Sequence, residues 1–312
     1  MSVTLPEPVQ KKRDQTQPSA PSQQRVVERH FQTVSTEWGT RYERRPRKMS
    51  DLDLLLRRQS VHHFLKPILI NATEPLRVLD LGCGSGHVWD GIRRDRVELL
   101  GADIVPEMVR AAANHNPQDY FLVADAATLP IANGSLDIIT CLGVLEYLRD
   151  PSKALGSMVR ALRPTGHLLI SFPNKTGLFR RLTRCEVAVE RWLESKFRRL
   201  VGKHGNQTDS PTYKHNQWSL VQARKLLESA GFEIHTVRFN TFGLWGRLGR
   251  LRASLFISEW LTHQFGHCQL FSSMLACTMV VHARLAAIAQ QPSLDGRSAP
   301  INRLHNQNVS SP

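Results

Sequence analysis

From position 76 onward, short apolar runs alternate with segments in which apolar residues return every three or four positions. Residues 77–81 (Arg-Val-Leu-Asp-Leu) predict a buried strand that runs into a glycine-rich turn. Further strands are predicted over 97–103, 120–125, 136–141 and 167–172, with helical segments over 87–94, 106–114 and 151–162. Strand and helix in strict alternation predict βαβ units, hence an α/β, doubly wound, mostly parallel sheet covered on both faces. Such sheets bind ligands outside the carboxyl ends of the strands, where the strand order reverses.

Ahead of this core, residues 27–42 read as a helix with apolar positions at Val27, Phe31, Val34 and Trp38. After it, Leu178, Leu182, Cys185, Val189, Leu193, Phe197 and Leu200 recur at helical spacing, with arginines between them. A second apolar and basic stretch covers 244–256. Residues 1–24 and 290–312 are polar, without apolar period, and read as disordered tails. The chain therefore divides into N-terminal helices (25–70), a core (76–175), a basic helical insertion (177–212) and a C-terminal part completing the sheet (213–289).

Hydrophobic residues make up 41% of the 312 and charged residues 22%, ordinary globular usage that excludes wholesale disorder, collagen and coiled coil. The most apolar stretch, 274–289, carries His282 and Arg284 and is too short to span a bilayer. No secretory pattern opens the chain. Five scattered cysteines without a CxxC pair argue against disulfides and a structural zinc site, so no metal is expected and a reducing cytoplasm is the default. The net charge of +14 would suit nucleic acid, an anionic membrane or an acidic substrate. Its location narrows the choice. Residues 76–175 hold 10 basic and 11 acidic groups, whereas 1–58 hold 12 and 7, and 177–203 hold 8 and 3. The excess lies outside the core.

The strongest chemical signal is 78–86, Val-Leu-Asp-Leu-Gly-Cys-Gly-Ser-Gly. Asp80 leads three glycines, Gly82, Gly84 and Gly86, which lack a Cβ and let backbone pass close beneath a ligand. A helix starting there would add free N–H groups. A dinucleotide loop would want glycine at 87, where this chain has His87. The string resembles the first motif of the class I S-adenosylmethionine-dependent methyltransferases, whose fold is Rossmann-like. Asp103 follows Asp80 by 23 residues, at the second strand's end. The segments 136–151, 161–174 and 218–232 resemble the family's later motifs. The resemblance implies a cofactor site of Tyr42, Asp80, Gly82, Gly84, Gly86, Asp103, Ile104, Asp125, Ala126, Cys141 and Leu142. In it Asp103 accepts hydrogen bonds from the ribose hydroxyls and Asp125-Ala126 holds the adenine. The helix over 27–42 resembles the lid of small-molecule members of the ubiquinone and menaquinone type.

Methyl transfer is an in-line displacement, and a base is needed where the nucleophile must lose a proton. Glu146 and His215 are the candidates. Relatives carry His where this chain has Tyr147. The Asx-Pro-Pro-aromatic tetrapeptide of DNA amino-methyltransferases is absent; Cys-Leu-Gly-Val stands at 141–144. The expected activity is methylation of a hydrophobic small molecule, such as a quinone or polyketide precursor or a lipid. The expected place is the cytoplasm or the membrane surface, because basic amphipathic helices lie on anionic bilayers. A lid helix packed on the core is the alternative role for the insertion. RNA or protein methylation is the alternative activity, favoured by the charge; nucleic acid is the weaker partner. A cofactor-binding protein without catalysis would not need so intact a motif.

Overall fold

In the computed structural model, residues 23–92, 94–201 and 215–286 are described. Seven strands, β1 (Leu76–Leu81), β2 (Val97–Asp103), β3 (Tyr120–Val123), β4 (Leu136–Cys141), β5 (Leu162–Pro173), β6 (Phe232–Asn240) and β7 (Thr278–Leu285), form one sheet. Its order is β3-β2-β1-β4-β5-β7-β6. β1 to β5 are parallel, and β7 runs antiparallel between β5 and β6. The order reverses at β1 and β4, so their carboxyl ends open a crevice for ligand.

Helices α1 (Gln23–Trp38), α2 (Thr40–Glu43) and α3 (Met49–Asn71) precede the sheet. α4 (Pro106–His115) and α5 (Pro151–Ala161) both start on proline, whose missing N–H costs nothing in a first turn. Asp150 caps α5 by accepting the Ser152 N–H at 3.1 Å. α5 buries Ala154, Leu155, Met158 and Ala161, one apolar stripe against the sheet. α6 (Leu178–Val201), α7 (Leu220–Ser229), α8 (Arg252–Phe265) and α9 (Gln269–Leu275) follow. A capping box between Ser219 and Gln222 fixes the start of α7.

Two expectations need correction. α1 starts at Gln23, inside the stretch read as a tail. The helix expected over 87–94 is a single 3-10 turn, His87–Trp89, followed by a second, Arg94–Arg96. Gly91, at φ +79°, ends any helix there, and Trp89 is pinned inside by its indole N–H bond to the Thr140 hydroxyl at 3.2 Å. The other tail residues and the end of the insertion (202–214) lie outside the described residues.

Candidate active site

A cavity of about 190 Å³ opens at the carboxyl ends of β1, β2 and β4, under α1. Tyr42, Gly82, Gly84, Asp103, Ile104, Asp125, Ala126 and Leu142 line it, eight of the expected cofactor residues. The glycine turn uses its own N–H groups to hold its shape. Gly82 N and Cys83 N donate to Ala102 O at 2.7 and 3.1 Å, and Gly86 N donates to Cys83 O at 2.9 Å. Gly84 N donates to Asp103 Oδ2 at 2.9 Å, and Val105 N donates to Asp103 Oδ1 at 2.9 Å. These bonds aim the carboxylate along the cavity wall. Burial pushes the Asp103 carboxyl above its ordinary range, partly offset by those N–H donors. Gly84 has φ +52°, and a Cβ there would stand 3.1 Å from Trp38 Nε1.

Asp80, Gly86 and Cys141 stand behind the wall. Asp80 is buried beneath the turn and accepts the Thr140 hydroxyl at 2.6 Å. Burial raises its carboxyl to about 7. Asp80 thus joins β1 to β4 under the cradle. Burial also pushes the Cys83 and Cys141 thiols up, which leaves them uncharged packing groups. Asp137 accepts Arg77 N at 2.8 Å and Arg163 Nη1 at 2.5 Å, a structural carboxylate at the foot of β4.

α1 crosses the cavity mouth. Phe31 packs edge-on against Trp38 (5.4 Å) and Tyr147 (5.2 Å), while Gln24 Nε2 reaches Asp125 Oδ2 at 3.4 Å. Asp125 also caps the following turn through Ala127 N at 2.8 Å. Tyr42 stacks on His87 at 5.3 Å, and burial pushes its phenol up to about 12. His87 in turn stacks on His115 at 3.9 Å and faces Glu43. The ligand atoms of Glu43, His87 and His115 lie within 4.8 Å of one another. The cluster ties α2 to the glycine turn.

A second cavity of about 90 Å³ adjoins the first, and Arg57, Glu146 and Tyr147 line both. Glu146 is buried, its Oε2 has no hydrogen-bond partner among the described residues, and burial raises its carboxyl against the opposing pull of Arg57. Asn216 holds the Glu146 turn from outside, donating from N to Glu146 O at 2.8 Å and from Nδ2 to Leu148 O at 2.7 Å. This brings His215 into the second cavity, 4.8 Å ring to ring from Tyr147. Burial lowers the His215 imidazole, which favours its neutral form. Both catalytic candidates therefore meet at one place. Asp53, Arg57, Arg180 and Trp245, which the sequence reading did not assign to the site, complete this cavity. The one sequence signal for them was a pair of acids, Asp51 and Asp53, inside an apolar run; both are fully buried.

A family model described as a methyltransferase domain matches residues 79–170. The ubiquinone biosynthesis O-methyltransferase of Xanthomonas oryzae pv. oryzae (strain PXO99A) is 32% identical over 125 residues, covering 36% of this chain and 52% of that protein. The protein of the same name in Xylella fastidiosa (strain M23) is 29% identical over 125 residues, covering 36% and 51%. The chain spans about half the length of the curated relatives it matches. The crystal structure of magnesium protoporphyrin IX methyltransferase from Synechocystis PCC 6803 with bound SAH shares the fold. It aligns with a TM-score of 0.55 at 18% identity, over 84% of this chain and 100% of that one. Residues 79–170 thus match a methyltransferase domain, and the strand order, the glycine turn and its Asp103 partner give the chain the fold of the class I S-adenosylmethionine-dependent methyltransferases.

Proposed function

We propose that the chain methylates a hydroxyl oxygen of a small hydrophobic acceptor, such as a quinone or polyketide precursor or a lipid, with Glu146 as the general base. The carrying observation is the buried Glu146, which lines both cavities and whose Oε2 has no hydrogen-bond partner among the described residues. The first cavity fits S-adenosylmethionine: Gly84 leaves a gap that a Cβ would fill, and Asp103 offers a half-buried carboxylate beside it. When bound, that cofactor supplies an electrophilic methyl group on a sulfonium. Asp103 would receive its ribose hydroxyls, while Phe31, Trp38 and Tyr42 exclude water. Glu146 Oε2 would take the acceptor's hydroxyl proton, and its raised pKa brings it closer to the working range of a base. The names of the curated relatives favour oxygen as the accepting atom. The test is incubation with S-adenosylmethionine and an alkyl catechol, read by mass spectrometry. An aryl methyl ether is expected; cofactor binding without any methylated product would overturn the reading.

We further propose that the acceptor reaches the site from an anionic membrane surface. In α8 the buried residues are Ser258 and Thr262, while Phe256, Ile257 and Trp260 are exposed. In α9 Ser272 is buried, while Leu270, Phe271 and Met274 are exposed. A helix that turns polar residues inward and aromatic ones outward suits an apolar partner. α6 packs on α9 and exposes Leu178, Leu182, Val189, Trp192 and Leu193. Arg181, Arg250 and Arg252 are exposed around this surface, charges suited to anionic lipid. No helix among the described residues is long and apolar enough to cross a membrane.

A further inference from the structure

The second cavity says more about the acceptor than the reaction does. Its floor is a fixed ionic assembly. Asp53 Oδ1 accepts the hydroxyls of Thr241 (2.6 Å) and Thr278 (2.7 Å), and its Oδ2 meets Arg57 Nη2 at 2.6 Å. Asp53 is thereby held by two hydroxyl hydrogen bonds on one oxygen and ion-paired with Arg57 through the other, which makes no hydrogen bond among the described residues. The main chain bends sharply here, with Thr241 at φ +64°, held by Thr262 Oγ1 and by Cys277 N. A Cβ at Gly143 would stand 3.0 Å from Arg57 Nη1 and 3.7 Å from Glu146 Oε1, so both side chains reach the face of that glycine from which a Cβ is missing.

Arg180 closes the opposite wall. It comes from the first turn of α6, donates from Nε to Cys277 O at 3.3 Å, and lies over the Trp245 ring at 5.4 Å. It forms no ion pair with any described residue, unlike Arg57. The carboxylates facing the cavity are Asp53, which Arg57 neutralises, and Glu146, the proposed base. A guanidinium braced by an aromatic face, without an anion of its own, calls for one from the ligand.

We infer that the second cavity is a carboxylate-binding subsite, and that the acceptor is an aromatic hydroxy acid whose carboxylate pairs with Arg180. The cavity, about 90 Å³, suits a planar carboxylate attached to a ring that extends toward Glu146. This rests on the methyl-transfer reading for the acceptor's hydroxyl, but the anion site stands on its own geometry.

The probes are 3,4-dihydroxybenzoate and catechol, titrated by calorimetry into the full-length protein with S-adenosylhomocysteine present. The acid should bind about tenfold or more tighter than catechol, the weight of one charge-assisted pair. Arg180→Gln should remove the preference while leaving catechol and S-adenosylhomocysteine affinities unchanged, and Arg180→Lys should restore part of it. Equal affinities in the wild type, a preference that survives Arg180→Gln, or no binding of the acid at millimolar concentration would each overturn the subsite. A parallel methylation assay separates the two readings. Acid that binds through Arg180 and is never methylated defeats the proposed reaction alone. Catechol bound and methylated as readily as the acid defeats the subsite alone.

Discussion

The two cavities are neighbours built in opposite ways. The sheet's part of the cofactor cavity comes from strand ends and the turns that follow them: Gly82 and Gly84 after β1, Asp103 at the end of β2, Asp125 after β3, Leu142 after β4. The sheet contributes short strings at its strand ends, and α1 to α3 cover them with single residues such as Phe31, Trp38 and Tyr42. The acceptor cavity takes single residues from distant elements: Arg57 from α3, Glu146 from the turn after β4, Arg180 from α6, Thr278 from β7. A site of the first kind can keep its form while the rest of the chain changes. A site of the second kind is redefined whenever one helix is replaced. This is the physical basis for one fold serving many acceptors.

The largest effect should come from breaking the local site locally. Gly84→Val adds a branched side chain at φ +52°, into space already met by Trp38. Loss of measurable cofactor binding is expected, with the melting temperature little changed because β1 and β2 are untouched. Calorimetry that finds normal affinity would mean that the turn does not cradle the cofactor. The matching break on the acceptor side is Glu146→Gln. It should lower kcat about 10²–10⁴-fold, the usual contribution of a positioned base, and leave cofactor affinity unchanged. In the wild type the rate should fall as pH drops through the raised Glu146 pKa, and that limb should vanish in the variant. A next step down is Asp103→Ala. Losing a charged acceptor costs about 1.5–3 kcal/mol, so cofactor affinity should fall by about one to two orders of magnitude. Unchanged affinity would remove Asp103 from the ribose.

That contrast also explains what the sequence could and could not disclose. Strands β1 to β5 were readable because buried parallel strands are continuous apolar runs separated by helical period. The residues 278–285 carry the same kind of signal, yet they stood out only as an apolar stretch too short for a bilayer, and β6 and β7 were not delimited. The segment 87–94 imitates a helix in spacing, but Gly91 and the buried Trp89 overrule it. Glu146 and His215 could be nominated because each sits beside a motif. Arg57 and Asp53 could not, since nothing around them says that α3 faces β7. Arg180 sits at helical spacing among outward arginines, and only the fold separates it from Arg181, one residue away and exposed.

The acceptor half of the sheet also carries an acid-sensitive element. His282 on β7 is 6% exposed and stands 2.8 Å from His167 on β5, with burial as the main cause that lowers its pKa to about 3. The folded value lies below the ordinary 6.5. The sign follows: stability is complete above about pH 6.5 and falls as pH drops toward 3, because the unfolded chain takes up the proton first. Burial lowers the neighbouring His167 imidazole as well, so the pair loses stability together as pH drops below about 6.5. Urea midpoints measured from pH 7 to 5 should show that slope, and His282→Leu should flatten it. Equal slopes in both proteins would assign the acid loss elsewhere.

The smallest effects belong to the surface of α6, α8 and α9, and they extend the comparison to the acceptor's route. If that surface lies on anionic lipid, each exposed arginine contributes about 1 kcal/mol, or about fivefold in partitioning. Arg181→Gln, Arg250→Gln and Arg252→Gln should each weaken binding to phosphatidylglycerol vesicles by about that factor, roughly additively, since each charge acts on the surface separately. Trp260→Ser should weaken it further by removing an aromatic contact that salt does not screen. None of these variants should alter cofactor affinity, because none of the residues lines the first cavity. Arg180→Gln supplies the internal control. Its guanidinium faces the acceptor cavity, so it should leave vesicle binding intact. Salt divides the contributions once more: near 0.15 M, screening acts over about 8 Å and reduces the arginine share while the tryptophan share persists. Wild-type protein that stays in the supernatant with anionic vesicles at that salt concentration would end the membrane reading, and the outward aromatic residues of α8 and α9 would then need a protein partner.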